Sequence, residues 1–250
     1  MKNMVGIFNK EEDSIKTYFL DTFANEVDCF NKLLMVYVAF LEATSDKIKD
    51  NEYPEWTILM LLSQTVSLME NGIKLLSSGY LRSSEIMIRV CAEAVILATY
   101  FKEFPDFEVE YRTINYREFF RNHSIDDMLK KVEKEGKVFI KDKEKAKQVK
   151  WNKIMFINLF KESSRFVHNN PSLIYDLSKN NSNPSSDAEL IMGPQKYSDE
   201  TLSMGLRRLL NTLLFSLVVL GVSLNISPDE NEKDIMKQAA AITELLNTGK

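Results

Sequence analysis

Apolar residues recur at steps of three and four along most of this chain. From Glu11 to Lys49 the members Ile15, Phe19, Leu20, Phe23, Val27, Phe30, Leu33, Leu34, Tyr37, Val38 and Leu41 form one continuous stripe, as an amphipathic helix requires. Asp50, Asn51 and Pro54 punctuate its end. A second helix is predicted over 55–76. Ser77-Ser78-Gly79 then supplies a turn, with Gly79 suited to a left-handed position just past the helix. A third helix follows over 80–101, and Pro105 stops it. The shortness of that turn makes the second and third helices an antiparallel hairpin.

Beyond Pro105 the pattern weakens. One or two shorter helices are predicted between Glu108 and Glu135, and 139–143 is ambiguous. A helix over 143–168 ends at Asn169-Asn170-Pro171. The Asn-, Ser- and Pro-rich stretch 178–196 reads as a mobile surface loop. A strongly apolar helix over 199–225 follows. Ser227-Pro228-Asp229-Glu230 restarts the chain, with Ser227 as cap and Pro228 at the first helical position. The last helix reaches about Leu246. No stretch alternates long enough to require a sheet. The prediction is an all-α bundle of six to eight helices in a single domain, with its core over 11–173, the loop over 178–196 and C-terminal helices over 199–248.

Composition supports this. Only 8 Gly and 6 Pro among 250 residues leave few turns, and 44% apolar content is enough for one substantial core. A net charge of -4 gives no global attraction for nucleic acid. Cys29 and Cys91 are far apart and lie in apolar patterns, so they read as reduced core thiols. Met1 to Lys16 has no apolar h-region and carries Glu11, Glu12 and Asp13, unlike a signal peptide. Leu209 to Ile226 is apolar but holds Asn211, Thr212, Ser216, Ser223 and Asn225, so it reads as a core helix rather than a membrane span. A cytoplasmic protein without membrane attachment is expected.

The chemistry inventory is short. His123 and His168 are the only histidines, and with the two cysteines they show no zinc-ligand spacing. A di-iron bundle needs Glu three residues before His; those positions are Phe120 and Arg165. There is no Gly-rich phosphate loop and no Gly-x-Ser-x-Gly elbow. No metal and no cofactor are therefore expected, although a site built from carboxylates and Mg²⁺ stays open.

Four features could carry function. Arg82, Glu85, Arg89 and Glu93 share one face of the most apolar helix. They read as a structural ion-pair ladder or as a polar cleft lined by Arg89 and Glu93. Ser164, Arg165, His168 and Asn169 cluster near a helix end, where the dipole favours imidazolium. Arg165 and His168 offer the cation and the titratable group that metal-free RNA cleavage needs; the plainer reading is a capping histidine. Between Lys130 and Lys153, ten lysines outnumber four acids. This basic patch, with Lys141, Lys145, Lys150 and Lys153, could hold phosphate or be a solvated helix face. Finally, Arg117 and His123 form a second pair. On a regular helix they lie roughly 120° off a shared face, so they meet only where a helix bends or ends.

Leu75-Leu76-Ser77-Ser78-Gly79-Tyr80, then Arg89 and Glu93, then Trp151 and Ser164 with His168, resemble an uncharacterised bacterial helical family, domain of unknown function 5677, over about 59–173. The layout is also similar to the HEPN class of helical dimers. That resemblance implies a HEPN-like bundle. Many members are metal-free RNases of toxin and antiphage systems, with Arg and His four to six residues apart meeting across a dimer interface. Arg117 and His123 fit that spacing, but Glu118 departs from the usual Asn, Asp or His after the Arg. Arg165 and His168 are too close together to fit. The expected function is that of a HEPN-like protein of a bacterial defence or toxin system, acting as a metal-independent endoribonuclease through His168, Arg165, His123 and Arg117. Its expected partners are a second copy of itself, RNA and a protein from the same operon. The alternative is a non-enzymatic interaction or ligand-sensing module using the Arg89 and Glu93 cleft.

Overall fold

The computed structural model describes residues 4–45, 48, 53–135, 194–224 and 227–248. Among them are nine helices and no strand, so the expected all-α bundle forms, with more helices than the six to eight expected because the stretch up to Glu135 folds as three short ones. In chain order the helices are α1 Met4–Thr22, α2 Ala24–Ser45, α3 Glu55–Ser77, α4 Leu81–Glu103, α5 Pro105–Thr113, α6 Tyr116–Asn122, α7 Ile125–Glu135, α8 Asp199–Leu224 and α9 Glu230–Thr248.

The turn after α3 forms as its sequence predicts. Gly79 has φ +83°, its N–H donates to Leu76 O at 3.1 Å, and the Tyr80 N–H donates to Leu75 O at 2.8 Å. These two bonds satisfy the last carbonyls of α3 in a Schellman turn. Gly79 O also accepts from Gln195 N at 3.0 Å, and a Cβ there would lie 2.6 Å from Gln195 O. Glycine is therefore fixed twice, by its left-handed φ and by the backbone lying against it.

Three boundaries differ from expectation. The long first helix bends at Phe23 into α1 and α2, although hydrogen bonding passes through: Phe23 N to Phe19 O and Val27 N to Phe23 O are both 2.9 Å. Pro105 not only stops α4 but opens α5 as its first residue, where its missing N–H costs nothing. The cap of α9 is Asp229, not Ser227. The Asp229 N–H donates to Glu232 Oε2 at 2.7 Å and the Glu232 N–H to Asp229 Oδ1 at 2.8 Å, a reciprocal capping box that leaves Pro228 outside the helix.

The α3–α4 hairpin is the centre of the fold. Helix α8 lies against both of its arms, α2 and α9 close over α8, and α7 covers α4. Phe19, Phe30, Leu33, Tyr37, Leu62, Met69, Ile88, Phe101, Leu209 and Leu213 are fully buried in the core. Each such large side chain contributes roughly 1.5–3 kcal/mol. Gly205 lets α8 approach closely, since a Cβ there would meet Leu76 Cδ1 at 2.9 Å. Helix α8 contains an 18-residue stretch of mean hydropathy 1.5 and is long enough to cross a membrane. Here it is the core helix, with Leu206, Leu209, Leu213, Leu217 and Leu220 all packed inside.

The N-terminal helix is tied down by two phenols. Tyr18 donates to Asp199 Oδ1 at 2.5 Å, and Tyr80 donates to Glu12. The bond to Glu12 is the main reason the Tyr80 hydroxyl is pushed up to about 12.

Candidate functional site

The charged stripe on α4 divides. Glu85 is wholly buried and turns away from its neighbours to meet Arg208 of α8, whose Nη1 donates to Oε1 at 2.7 Å. The two side chains are 0% and 8% exposed. Below this pair runs a short polar seam. Thr212 Oγ1 donates to Arg208 O at 2.8 Å, Ser216 Oγ donates to Thr212 O at 2.7 Å, and Cys91 Sγ lies 3.8 Å from Ser216 Oγ. Burial pushes the Cys91 thiol up to about 11, which makes it inert.

One turn further along α4, Arg89 pairs within its own helix. Its Nη2 lies 2.8 Å from Glu93 Oε1, with the side chains 13% and 30% exposed. Burial pulls the Arg89 guanidinium below its ordinary value; Glu93 and Asp126 oppose that pull. Asp126 belongs to the first turn of α7, so Arg89 works in the electrostatic field of both helices. Arg82 is exposed. The ladder expected from the sequence is thus one local pair, with Glu85 committed elsewhere.

His123 sits between α6 and α7, as the residue that ends α6. Its Nε2 is 2.9 Å from Glu110 Oε2. Its ring is held 4.9 Å from Phe107, nearly perpendicular, and 4.9 Å from Phe119. These rings belong to a larger aromatic group with Tyr100, Phe101, Phe104 and Tyr111. The carboxylate and the rings fix the imidazole plane, and His123 keeps one-fifth of its side chain exposed, 20%. If Nε2 carries the proton that Glu110 accepts, Nδ1 is the free base. Lys131 of α7 sits above the same shelf, its Nζ 4.1 Å from the Phe107 centroid and 4.6 Å from that of Phe104.

Arg117 does not join this group. Its backbone N–H is capped by Asn115 Oδ1 at 2.9 Å in the first turn of α6, its side chain is exposed, and no hydrogen bond links it to His123. The helix does end between the two, as their meeting would require, but the imidazole turns inward to Glu110. His168, Arg165, Ser164 and Asn169, and the patch lysines Lys141, Lys145, Lys150 and Lys153, lie outside the described residues.

Sequence reasoning missed Glu110 and Arg208, and placed Lys131 only within the basic stretch 130–153. Arg208 had a signal, since a charge midway along so apolar a helix must find a partner. Glu110 had none beyond its charge, because it does not stand at a helical spacing from His123.

Two other places complete the survey. Glu108 on α5 is buried and accepts from Thr57 and from Arg112 Nε, the latter at 2.6 Å. Arg112 lies 3.6 Å over the Tyr53 ring. This cluster anchors α5 to the start of α3. Between α2, α8 and α9 an open cleft of about 460 Å³ is lined by Phe40, Leu217, Val218, Val222 and Met236, with no ionisable group. Among the described residues no three His, Cys, Asp or Glu side chains group as metal ligands would.

The fold and its charged sites define a class: an all-α bundle with one ion pair sealed in its core and an imidazole–carboxylate pair at its edge. No family model, curated protein or solved structure matches the chain.

Proposed function

We propose that this is a HEPN-like protein in which the His123–Glu110 pair carries out metal-independent cleavage of RNA. The observation that supports it is the 2.9 Å bond from His123 Nε2 to Glu110, made at the protein edge with the ring still in part exposed. Such a carboxylate orients the ring and steadies the imidazolium formed when the other nitrogen takes a proton. Nδ1 would accept the 2′-hydroxyl proton. The 2′-oxygen would attack phosphorus, and the bond to the 5′-oxygen would break. The imidazolium would then return its proton to that oxygen. A 2′,3′-cyclic phosphate and a free 5′-hydroxyl result. The setting proposed with it is a cytoplasmic homodimer in a bacterial defence or toxin system, with a partner from the same operon.

The test is cleavage of labelled single-stranded RNA in EDTA. His123→Ala should lose at least about a hundredfold in rate, and Glu110→Gln should lose less. A His168→Ala variant measures what the other histidine adds. Wild-type protein that leaves RNA intact, or a His123→Ala variant as fast as wild type, overturns the reading.

One observation favours a second reading, non-enzymatic binding. Arg89 is held by Glu93 with its guanidinium largely withdrawn from water, as a fixed receptor for an anionic ligand would be. Binding that depends on Arg89 with no cleavage would select it.

A further inference from the structure

We infer that Lys131, not Arg117, is the cation of the His123 site, and that it holds a phosphate group beside the imidazole. This rests on His123 being a working imidazole, as proposed above. Lys131 Nζ and the His123 ring lie 4.1 and 4.9 Å from the centroid of one ring, that of Phe107. Both groups therefore border the Phe107 ring, which in this proposal is the floor on which a single anion meets them. The ammonium over Phe104 and Phe107 is fixed by cation–π attraction.

The surrounding charges point the same way. Glu110 is engaged by His123. Asp127 accepts from Ser124 at 2.6 Å and from Lys130 at 3.4 Å. Asp126 lies in the field of Arg89. Glu108 is held by Thr57 and Arg112. Each of these acids has a counterpart, whereas Lys131 makes no salt bridge among the described residues. Arg121 is 3.7 Å from Glu118, and Arg117 stands at the far end of α6 from His123. In sequence, Lys131 also stands at the start of the lysine-rich stretch 130–153.

The experiment follows the imidazole resonances by NMR in the full chain. His123 is assigned by comparison with His168→Ala. The probes are inorganic phosphate and a short single-stranded DNA, which has phosphates but no 2′-hydroxyl to react. Both should move the His123 resonances saturably in wild type and in Arg117→Ala. Lys131→Met keeps the alkyl stem on Phe104 and Phe107, and should weaken the response about tenfold or more. Lys131→Arg should restore most of it. A response to DNA but not to inorganic phosphate assigns the site to polynucleotide; the reverse assigns it to a free phosphate. No saturable response in wild type, or an unchanged one in Lys131→Met, overturns the inference. RNA left uncut while this response persists removes the nuclease reading and leaves the phosphate site standing.

Discussion

Glu85 and Arg89 stand one turn apart on α4 and use their charges in opposite ways. Glu85 crosses to α8 and buries its carboxylate completely against Arg208, far away in the chain. Arg89 stays on its own helix, pairs with Glu93 four residues on, and remains in part at the surface. The first pair lies between the elements that build the core. The second lies in the field of Asp126, at the start of the helix that covers α4. Burial depth separates the two roles. A sealed charge is useful only to its partner, while a half-sealed one can still meet a ligand.

The sharpest way to break this contrast is to remove one charge from the inner pair. Glu85→Ala leaves Arg208 buried and uncompensated, and should cost about 3–5 kcal/mol in urea unfolding. For a chain of this size that is a fall in Tm of roughly 10 °C. Glu85→Leu with Arg208→Leu removes both charges and should regain most of the loss, because an apolar pair no longer has to be desolvated. A double variant no better than Glu85→Ala would mean that shape, not charge, is what the position needs.

The next step outward is the Glu108–Arg112 pair on α5. Its carboxylate is as buried as Glu85, at 1%, but its arginine is 36% exposed. Removing the carboxylate leaves the Thr57 hydroxyl without its acceptor while Arg112 can turn to solvent. Glu108→Ala should therefore cost about 1–3 kcal/mol, less than Glu85→Ala, and Arg112→Ala should cost less again. If thermal unfolding ranks Glu108 above Glu85, exposure of the partner is not what sets the cost.

How much of this could be read from the chain depends on the distance between partners. The helices, the α3–α4 hairpin and the left-handed Gly79 follow from local periodicity and one turn, so they were legible. The bend at Phe23 was not, because neither Pro nor Gly marks it. Pro105 was legible as a stop, but its second role as the first residue of α5 depends on where the chain goes next. At the site, Arg89 and Glu93 were recognisable as a pair because they are four apart on one helix. Arg208 and Glu85 are 123 residues apart, and no local spacing joins them. Sequence spacing pairs His123 with Arg117, its near neighbour in the chain, whereas the fold gives it Glu110 from α5.

The smallest effect, and the most informative about function, belongs to the outer pair. Arg89→Ala removes a local, partly solvated interaction of the kind that contributes about 1 kcal/mol or less, plus the packing of its stem. Glu93→Gln should cost less still. Both losses should shrink at about 1 M salt, because salt screens a partly exposed pair far more than a buried one, while the Glu85→Ala loss should hardly change. Salt therefore provides an independent test of which pair is sealed. Should Arg89→Ala unfold the protein as readily as Glu85→Ala and with the same indifference to salt, the guanidinium is a structural tie and the outer face of α4 has no charge to spare. A small, salt-sensitive loss accompanied by altered binding of RNA or phosphate would instead mark Arg89 as a ligand-binding cation.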